Sequence, residues 1–541
     1  MNFNGLSAGS NVFQLDPTAN VTNADLPMFT LDGSATPLNL SNTDNQGSVG
    51  FSVAGLGNVT SAAYDTTGGD DFGLGAPRSD VDGVAKTYIA TGAPWIVPGS
   101  ALEVADLRSD NGFIVPEANR VGNVGDFDGD GYDDYWKLED RTLETNAFIV
   151  SSGTLVKGAS IFDVGASEDR EVLLAEDMLR NRSLASGDFD GDGFSEIIAP
   201  IGGRAAYFDA KNLTDSGELR PTSIASVPLD INLGNLTDIA YFFSADLNGD
   251  GFEDLIYQRQ TSDGKAANET NTVAKFYLNR ADGKIRFDEV TPSFSDFANY
   301  PISAIADLDG DGQDEIISNT AQTDDAGNTV YTFKIGKLQN GQIALVGAFE
   351  WTDLAPAPYF ARDSTEYRGV FLPSAVGDVN GDGREDIVLS AQYFQDVSFF
   401  SYGVSSLVIY GAASLGGLTG TTITSDGISD VTFGNPWTQN RGDEYRIKSA
   451  DIVGDVNHDG YDDVLVGRPA VSDSFIVYGR DDAAGESVAL PSRDRSADFE
   501  DGYAIRSVSN GSSEPFYLAT TVSNGGDLNG DGLDDMMIGA P

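Results

Sequence analysis

Seven acidic loops contain the residues of this sequence whose types and spacing could do chemistry. Each has nine residues in the pattern Asp-x-Asp/Asn-x-Asp-Gly-x-x-Asp/Glu, and the loops begin at Asp126, Asp188, Asp246, Asp307, Asp378, Asp455 and Asp527. Ca²⁺ takes roughly six to eight oxygen ligands, which alternating carboxylates around a glycine turn can supply. Mg²⁺ prefers a strict octahedron and keeps its waters, so it fits less well. The pattern therefore predicts Ca²⁺ as the cofactor, with about seven ions.

The predicted ligands are the side chains at positions 1, 3, 5 and 9 of each loop and the backbone carbonyl at position 7. They are Asp126, Asp128, Asp130, Tyr132, Asp134; Asp188, Asp190, Asp192, Phe194, Glu196; Asp246, Asn248, Asp250, Phe252, Asp254; Asp307, Asp309, Asp311, Gln313, Glu315; Asp378, Asn380, Asp382, Arg384, Asp386; Asp455, Asn457, Asp459, Tyr461, Asp463; and Asp527, Asn529, Asp531, Leu533, Asp535.

Two other interpretations of these loops are weaker. A single Asp- and Gly-rich turn is common without any metal, but seven copies with the same ligand pattern are not expected by chance. An EF-hand needs an acid at position 12 and helices on both sides, whereas position 12 is never acidic here and the flanking apolar runs are too short for helices.

Composition limits the function classes. The chain has 541 residues, and its 84 Asp and Glu against 32 Lys and Arg give a formal charge of −52, which argues against nucleic-acid and anionic-membrane partners. Hydrophobic residues make up 40%, so a folded core is expected. Cysteine is absent, and a Ser-His-Asp triad would have to use the single histidine, His458. We therefore expect no catalytic residues and no enzyme activity.

The elements that position the loops are short strands. An apolar run such as Leu255-Ile256 follows each loop, and most units carry a second strand-like segment such as Phe276-Tyr277-Leu278. The sequence predicts an all-β β-propeller of four-stranded blades, with the calcium-binding loop between the first two strands of most blades. The spacing favours eight blades, with seven as the alternative count. An open array or two separate β domains is the competing architecture.

Domain boundaries follow from the repeats. Residues 50–541 are predicted to be the propeller repeats, and residues 1–49 to close the last blade. The first repeat is altered, because Asn58 and Thr60 stand where acidic ligands are expected, so no normal metal site is predicted there. Met1–Asp16 shows no cleavable secretory signal, no stretch reaches transmembrane length, and the ending at Pro541 suggests a chain that continues.

Two segments carry a family resemblance. Residues 50–57 with Gly75-Ala76-Pro77, and residues 525–535 with Gly539-Ala540-Pro541, resemble the FG-GAP repeat of integrin α-subunit propellers and related bacterial surface proteins. The resemblance implies a seven-bladed ring and a role in extracellular recognition or adhesion. The acidic, cysteine-free composition looks like that of a bacterial secreted or surface protein.

The leading functional hypothesis is a calcium-stabilised binding or adhesion module at the cell exterior or cell surface. Its predicted partner is a glycan or a cell-surface protein, with no direct membrane insertion. One alternative is a structural unit of a surface layer or filament, which would self-assemble. Another is a polysaccharide lyase or hydrolase. Such an enzyme would need a catalytic base and basic residues to hold an acidic sugar, and the chain is short of both.

Overall fold

Strands make up nearly all of the regular structure. In a computed structural model, the structure describes residues 12–15, 30–32, 52–59, 70–76, 86–90, 92, 101–103, 112–116, 118–127, 133–141, 144–150, 171–175, 185–201, 204–209, 211, 222–228, 238–261, 273–280, 282–293, 302–323, 329–353, 368–371, 375–395, 398–402, 405–425, 449–468, 473–481, 487–490, 501–507, 521–528 and 533–539. Within those residues helical conformation is confined to a 3₁₀ turn at Leu415–Gly417 and to the single residue Lys211. None of the helices described is long and apolar enough to cross a membrane.

The strands are numbered in chain order. They are β1 (Val12–Leu15), β2 (Thr30–Asp32), β3 (Ser52–Gly57), β4 (Asp71–Ala76), β5 (Lys86–Ala90), β6 (Ala101–Glu103), β7 (Gly112–Pro116), β8 (Ala118–Gly125), β9 (Asp134–Arg141), β10 (Glu144–Val150), β11 (Glu171–Ala175), β12 (Ala185–Gly187), β13 (Glu196–Ile201), β14 (Arg204–Phe208), β15 (Thr222–Pro228), β16 (Asp238–Ala245), β17 (Asp254–Thr261), β18 (Val273–Asn279), β19 (Phe287–Val290), β20 (Ile302–Ala306), β21 (Glu315–Thr323), β22 (Thr329–Gln339), β23 (Gln342–Asp353), β24 (Arg368–Phe371), β25 (Val376–Gly377), β26 (Asp386–Gln395), β27 (Ser398–Tyr402), β28 (Ser405–Tyr410), β29 (Thr419–Ser425), β30 (Ser449–Ile452), β31 (Val464–Arg468), β32 (Asp473–Val477), β33 (Ser487–Leu490), β34 (Gly502–Ser507), β35 (Thr521–Gly526) and β36 (Asp535–Gly539).

The repeated unit is an antiparallel meander of four strands. In β16–β17–β18–β19, Phe243 lies opposite Ile256 and Ile256 lies opposite Phe276. The acidic loop that begins at Asp246 joins the first two strands of this sheet, as predicted, because β16 ends at Ala245 and β17 begins at Asp254. Aromatic and β-branched side chains fit a pleated surface that is covered on both faces, which is why these short runs form strands.

Six blades are detected as unbranched meanders, so the all-β β-propeller is confirmed. Five of them are four-stranded sheets, and the sixth is β30–β31–β32–β34 with β1 added at its edge. A branched seven-stranded sheet around β26 and the hairpin β35–β36 contain the two remaining acidic-loop units. Eight complete blades are not confirmed, and that count stays a prediction.

The core lies between the faces of neighbouring sheets. Phe189, Phe242 and Tyr257 belong to one buried cluster that joins the third and fourth meanders, and Phe242 and Tyr257 have ring centroids 5.5 Å apart. Sheet-on-sheet packing of this kind buries side chains from both neighbouring sheets. It therefore keeps the loops at the ends of β16 and its equivalents in register around the propeller.

Residues 1–49 contribute two described strands. β1 pairs in parallel with β34, and β2 pairs in parallel with β6. The rest of this segment lies outside the described residues, and the prediction that residues 1–49 close the last blade stays a prediction.

Hydrogen bonds of one type join consecutive units, and we call each set an inter-unit clasp. The backbone N–H of the eighth residue of a loop donates to the carbonyl of the first residue of the preceding loop. The carboxylate of that eighth residue often accepts the N–H of the same first residue. Asp314 N–H thus donates to Asp246 O at 2.9 Å, and Asp246 N–H donates to Asp314 Oδ2 at 2.8 Å. The backbone bond recurs in the pairs Asp133–Asn58, Ser195–Asp126, Glu385–Asp307, Asp462–Asp378 and Asp70–Asp527.

The last of these clasps joins the two ends of the repeat region. Asp70 N–H donates to Asp527 O at 3.0 Å, and Asp527 N–H donates to Asp70 Oδ2 at 3.1 Å. The residue before Asp527 is Gly526, which has φ of 66°, and a Cβ placed on it would overlap the Asp70 carboxylate. Glycine is therefore required at this position for two reasons: the positive φ angle, and the close approach of the Asp70 carboxylate.

Gly526→Ala tests this closure. Gly283→Ala is the matched control, because Gly283 also has a positive φ of 72°, but no atom of the described residues lies within 4 Å of the position that a Cβ would take there. Both changes cost about 1 kcal/mol in backbone strain, and only Gly526→Ala should lose a further amount of about 1–3 kcal/mol by displacing Asp70. Denaturant unfolding of the full chain measures both free energies. Equal losses for the two variants would contradict the closure.

Candidate metal centre

In the five loops that the structure describes throughout, the carboxylates at positions 1 and 5 hold the loop in shape by accepting backbone hydrogen bonds. In the loop of β16–β17, Asp246 Oδ1 accepts N–H groups from Gly249 at 2.8 Å and Asp250 at 3.1 Å, and Asp246 Oδ2 accepts from Gly251 at 2.8 Å. Asp250 Oδ1 accepts the N–H of Phe252 at 3.0 Å. The same pattern recurs in the loops that begin at Asp188, Asp307, Asp378 and Asp455.

The carboxylate at position 9 of the loop links the loop to two neighbouring strands through hydrogen bonds. Asp254 is fully buried, and its Oδ2 accepts Leu247 N–H at 3.0 Å while its Oδ1 accepts Asn279 N–H at 2.6 Å from the third strand. Burial raises the pKa of Asp254 to about 8, and burial likewise raises the pKa of Asp463 to about 8. A cation close to such a buried carboxylate would favour its charged form.

The third position of two loops carries an oxygen suited to a cation. Asp190 Oδ1 and Asn457 Oδ1 are buried, and neither has a hydrogen-bond partner among the described residues. In the first of these loops, carboxylate oxygens of Asp188, Asp190 and Glu196 all lie within 4.8 Å of one another. A buried oxygen without a donor is costly unless a cation or water satisfies it. The residues of these loops therefore fit a hard cation such as Ca²⁺, which they would hold through their carboxylate and amide oxygens.

The loop that begins at Asp307 is different, because a lysine side chain enters it. Lys337 Nζ lies 2.7 and 2.6 Å from the two carboxylate oxygens of Asp309, 2.9 Å from Asp311 Oδ2 and 2.7 Å from Glu315 Oε1. Burial alone would lower the pKa of the Lys337 ammonium, but its hydrogen bonds to Asp309, Glu315 and Asp311 raise that pKa above its ordinary value. Carboxylate oxygens of Asp307, Asp309 and Asp311 lie within 4.8 Å of one another, as a metal site requires, but the Lys337 ammonium already lies among the carboxylates of this loop.

A second lysine approaches the loop that begins at Asp188. Lys211 Nζ lies 2.9 Å from Asp190 Oδ2 and also forms an ion pair with Asp192, but its side chain is 52% exposed. Sequence reasoning missed both lysines. The available signal was the third loop position, which is Asp in these two loops and Asn in the loops that begin at Asp246, Asp378 and Asp455.

Among the described residues, three predicted acidic ligands come within 4.8 Å of one another in two loops, those that begin at Asp188 and Asp307. The ligand sets of all seven loops stay predictions. Five predicted ligands lie outside the described residues, namely Asp128, Asp130, Tyr132, Asn529 and Asp531. The residue at position 7 is predicted to offer its backbone carbonyl to the metal. In five loops its backbone N–H donates to the carboxylate at position 5.

Sequence reasoning also missed the eighth position, whose side chains form the clasps. Burial raises the pKa of Glu253 to about 7 and that of Asp314 to about 6. The signal was visible, because position 8 is acidic in six of the seven loops and Ser195 is the exception. The altered first unit keeps the same two positions as Asp70 and Asp71, and Asp71 Oδ2 accepts Val59 N–H at 2.9 Å.

Comparison with known families agrees with this geometry. Residues 246–318 match the family model described as FG-GAP-like repeat, and residues 374–404 match the FG-GAP repeat. These two segments are FG-GAP repeats. The matched segments contain whole acidic loops with the strands on either side, so the family assignment and the candidate metal centres rest on the same residues.

The relatives of this chain include integrin α-subunits. It is 25% identical to integrin alpha pat-2 of Caenorhabditis briggsae over 44% of this chain, 29% identical to integrin alpha-PS5 of Drosophila melanogaster over 30%, and 25% identical to integrin alpha-V of Gallus gallus over 44%. The matches span only 17%, 14% and 21% of those relatives' own lengths. A lectin from Agrocybe aegerita that recognises non-reducing terminal N-acetylglucosamine covers 68% of this chain and 79% of its own, at 16% identity and a TM-score of 0.34, which supports no conclusion about ligands.

The buried carboxylates give a pH dependence with a definite sign. The pKa of Asp254 and Asp463 is raised from 3.8 to about 8 on folding, so between those values the folded chain binds more protons than the unfolded chain. Stability of the calcium-free chain should therefore fall as the pH rises from about 5 to about 8. Saturating Ca²⁺ should flatten this fall, since metal binding favours the deprotonated carboxylates. Thermal unfolding followed by circular dichroism at each pH checks both curves, and a calcium-free melting temperature that rises with pH would contradict the account.

Proposed function

We propose that this chain is a calcium-braced adhesion module that works outside the cell and binds a protein on another cell surface. The single observation that carries the proposal is the position of the acidic loops. They lie at the inter-unit clasps, and two of them contain a buried oxygen that accepts no hydrogen bond from the described residues. Similarity to integrin α-subunits supports the adhesion class.

In this proposal Ca²⁺ has a structural role and stabilises the folded chain. Extracellular calcium modules bind with dissociation constants of about 10⁻⁴ to 10⁻³ M. A tenfold excess of free ion over the dissociation constant stabilises the folded state by roughly 1.4 kcal/mol per site. Several such sites together would match the whole stability of a typical domain, about 5–15 kcal/mol. A compartment with millimolar calcium, the cell exterior, is therefore the proposed location.

The proposed architecture is a closed ring of eight units. It is supported by the clasp between Asp70 and Asp527, which joins the altered first unit to the last acidic-loop unit. It is also supported by the glycines that precede the first residue of a loop. A Cβ on Gly187 would overlap Glu253 of the next unit, and a Cβ on Gly454 would overlap Asp534. Each unit therefore approaches the next one through the same pair of positions.

A protein is the favoured partner class. The similarity to integrin α-subunits points to this class, whereas nothing in the fold or the comparisons supports a glycan ligand or self-assembly. The formal charge of −52 favours a partner surface that carries basic residues. A polysaccharide-active enzyme is the less supported alternative, because it would need a base and cationic groups to hold an acidic sugar.

A cell-attachment assay tests the proposed function. Surfaces coated with the full chain should retain cells in millimolar Ca²⁺ and release them when a chelator is added, because the units lose their brace. Mild protease treatment of the cells beforehand should abolish attachment if the partner is a protein. Glycosidase treatment should leave attachment unchanged.

Three results would count against the proposal. Attachment that survives chelation would exclude the calcium brace, and attachment that is lost after glycosidase but kept after protease would assign the partner to glycans. Depolymerisation of an acidic polysaccharide by the soluble chain would favour the enzyme alternative. A plain surface coated with Asp- and Glu-rich carrier protein controls for charge alone.

A further inference from the structure

The acidic loop of residues 307–315 contains its own cation. We propose that the ammonium group of Lys337 permanently takes the place of the metal ion in this loop, which makes one joint of the propeller independent of calcium. The inference rests on the proposed binding of Ca²⁺ by other loops, from which this loop would differ.

The first argument is geometric. The Lys337 ammonium lies within 2.6 to 2.9 Å of the third, fifth and ninth carboxylates of the loop, Asp309, Asp311 and Glu315. Those are three of the side chains that would coordinate an ion. An ammonium group has three donors, and here each of them faces a carboxylate.

The second argument compares the same position in other units. Lys337 follows Gly336, which pairs with Ile316, the residue directly after the ninth loop position. By the same register, the equivalent residues of three other units are neutral, namely Leu278, Tyr410 and Tyr478. Those three units have Asn at the third loop position, whereas this loop has Asp309. The loop that begins at Asp188 also has Asp at position 3, but the residue equivalent to Lys337 there is Asp209, and its lysine, Lys211, lies two residues further on. A lysine at this position is therefore particular to the unit of Asp309 among the units compared.

The third argument concerns displacement. The Lys337 side chain is only 7% exposed, so a calcium ion entering the loop would leave the ammonium buried, unpaired and next to a divalent cation. The tether also gives the ammonium a high effective concentration at the site. Lys211 near the loop of Asp188 is also tethered, but its side chain is 52% exposed and can move into water. Calcium should therefore displace Lys211 and should not displace Lys337.

The consequence concerns how the propeller responds to calcium withdrawal. The carbonyl of Asp307 accepts the clasp from Glu385 of the next unit at 3.3 Å, so a loop that keeps its shape also keeps this joint. The meander β20–β23 would thus remain attached to the following unit when other joints loosen.

Calcium stoichiometry of full-length variants tests the proposal. Lys337→Met removes the ammonium and keeps an unbranched side chain, so this variant should bind one more Ca²⁺ per chain than the wild type in isothermal titration. Lys284→Met, which removes an exposed charge from a turn, is the matched control and should leave the stoichiometry unchanged. In the opposite direction, Tyr410→Lys combined with Asn380→Asp should lose one ion by recreating the arrangement in another loop.

A second measurement uses the unmodified chain and so does not depend on whether a variant folds. Amines are acetylated in the presence and absence of Ca²⁺ and identified by mass spectrometry. Lys337 should stay unmodified in both conditions, while Lys211 should become more reactive when calcium is added.

Two results would overturn the inference about Lys337 without affecting the proposed function. One is acetylation of Lys337 upon calcium addition, and the other is an unchanged calcium stoichiometry in Lys337→Met when the wild type binds calcium. A wild-type chain that binds no calcium would instead overturn the proposed function, and the wild-type titration shows that result by itself.

Discussion

The inter-unit clasp is the interaction on which the rest of the structure depends. It fixes the first residue of one acidic loop to the eighth residue of the next, so each loop is at once a turn within its own sheet and a contact with the neighbouring sheet. The backbone bond from Asp462 to Asp378 at 3.1 Å and the side-chain bond from Asp378 to Asp462 at 2.7 Å show both halves of the contact. Because both partners also belong to strand ends, the clasps set the spacing of the sheets whose faces form the core.

An inter-unit clasp built from carboxylates destabilises the folded chain electrostatically, because charged carboxylates are buried close to one another. Burial raises the pKa of both Asp254 at the ninth position and Glu253 at the eighth position of the same loop, so these adjacent groups resist ionisation together. Cations relieve this cost, and the chain offers two ways to supply them. Loops with donor-free oxygens, such as those containing Asp190 and Asn457, fit a bound ion, whereas the loop of Asp309 is neutralised by Lys337.

Local pattern predicted much of this structure. The nine-residue acidic pattern and the apolar runs around it predicted the hairpins and the β-propeller, since both depend on residues close together in sequence. The partner of a clasp could not be predicted in the same way. Asp70 and Asp527 are 457 residues apart, and only the closed arrangement brings them together. Lys337 was missed for a related reason, because it enters the loop from the third strand, 28 residues after Asp309.

Hydrogen exchange of the full chain with and without calcium tests the central claim most directly, namely that loop and joint are one structural feature. On calcium withdrawal, exchange should accelerate at the amides of Asp382 and Gly383, which bond to the Asp378 carboxylate within one loop, and at the amide of Asp462, which lies in the next unit and bonds to the Asp378 carbonyl. The amide of Glu385, bonded to Asp307 in the loop that contains Lys337, should stay protected in both conditions. Faster exchange in the loops with no change at the amide of Asp462, or no response to calcium anywhere, would contradict the account.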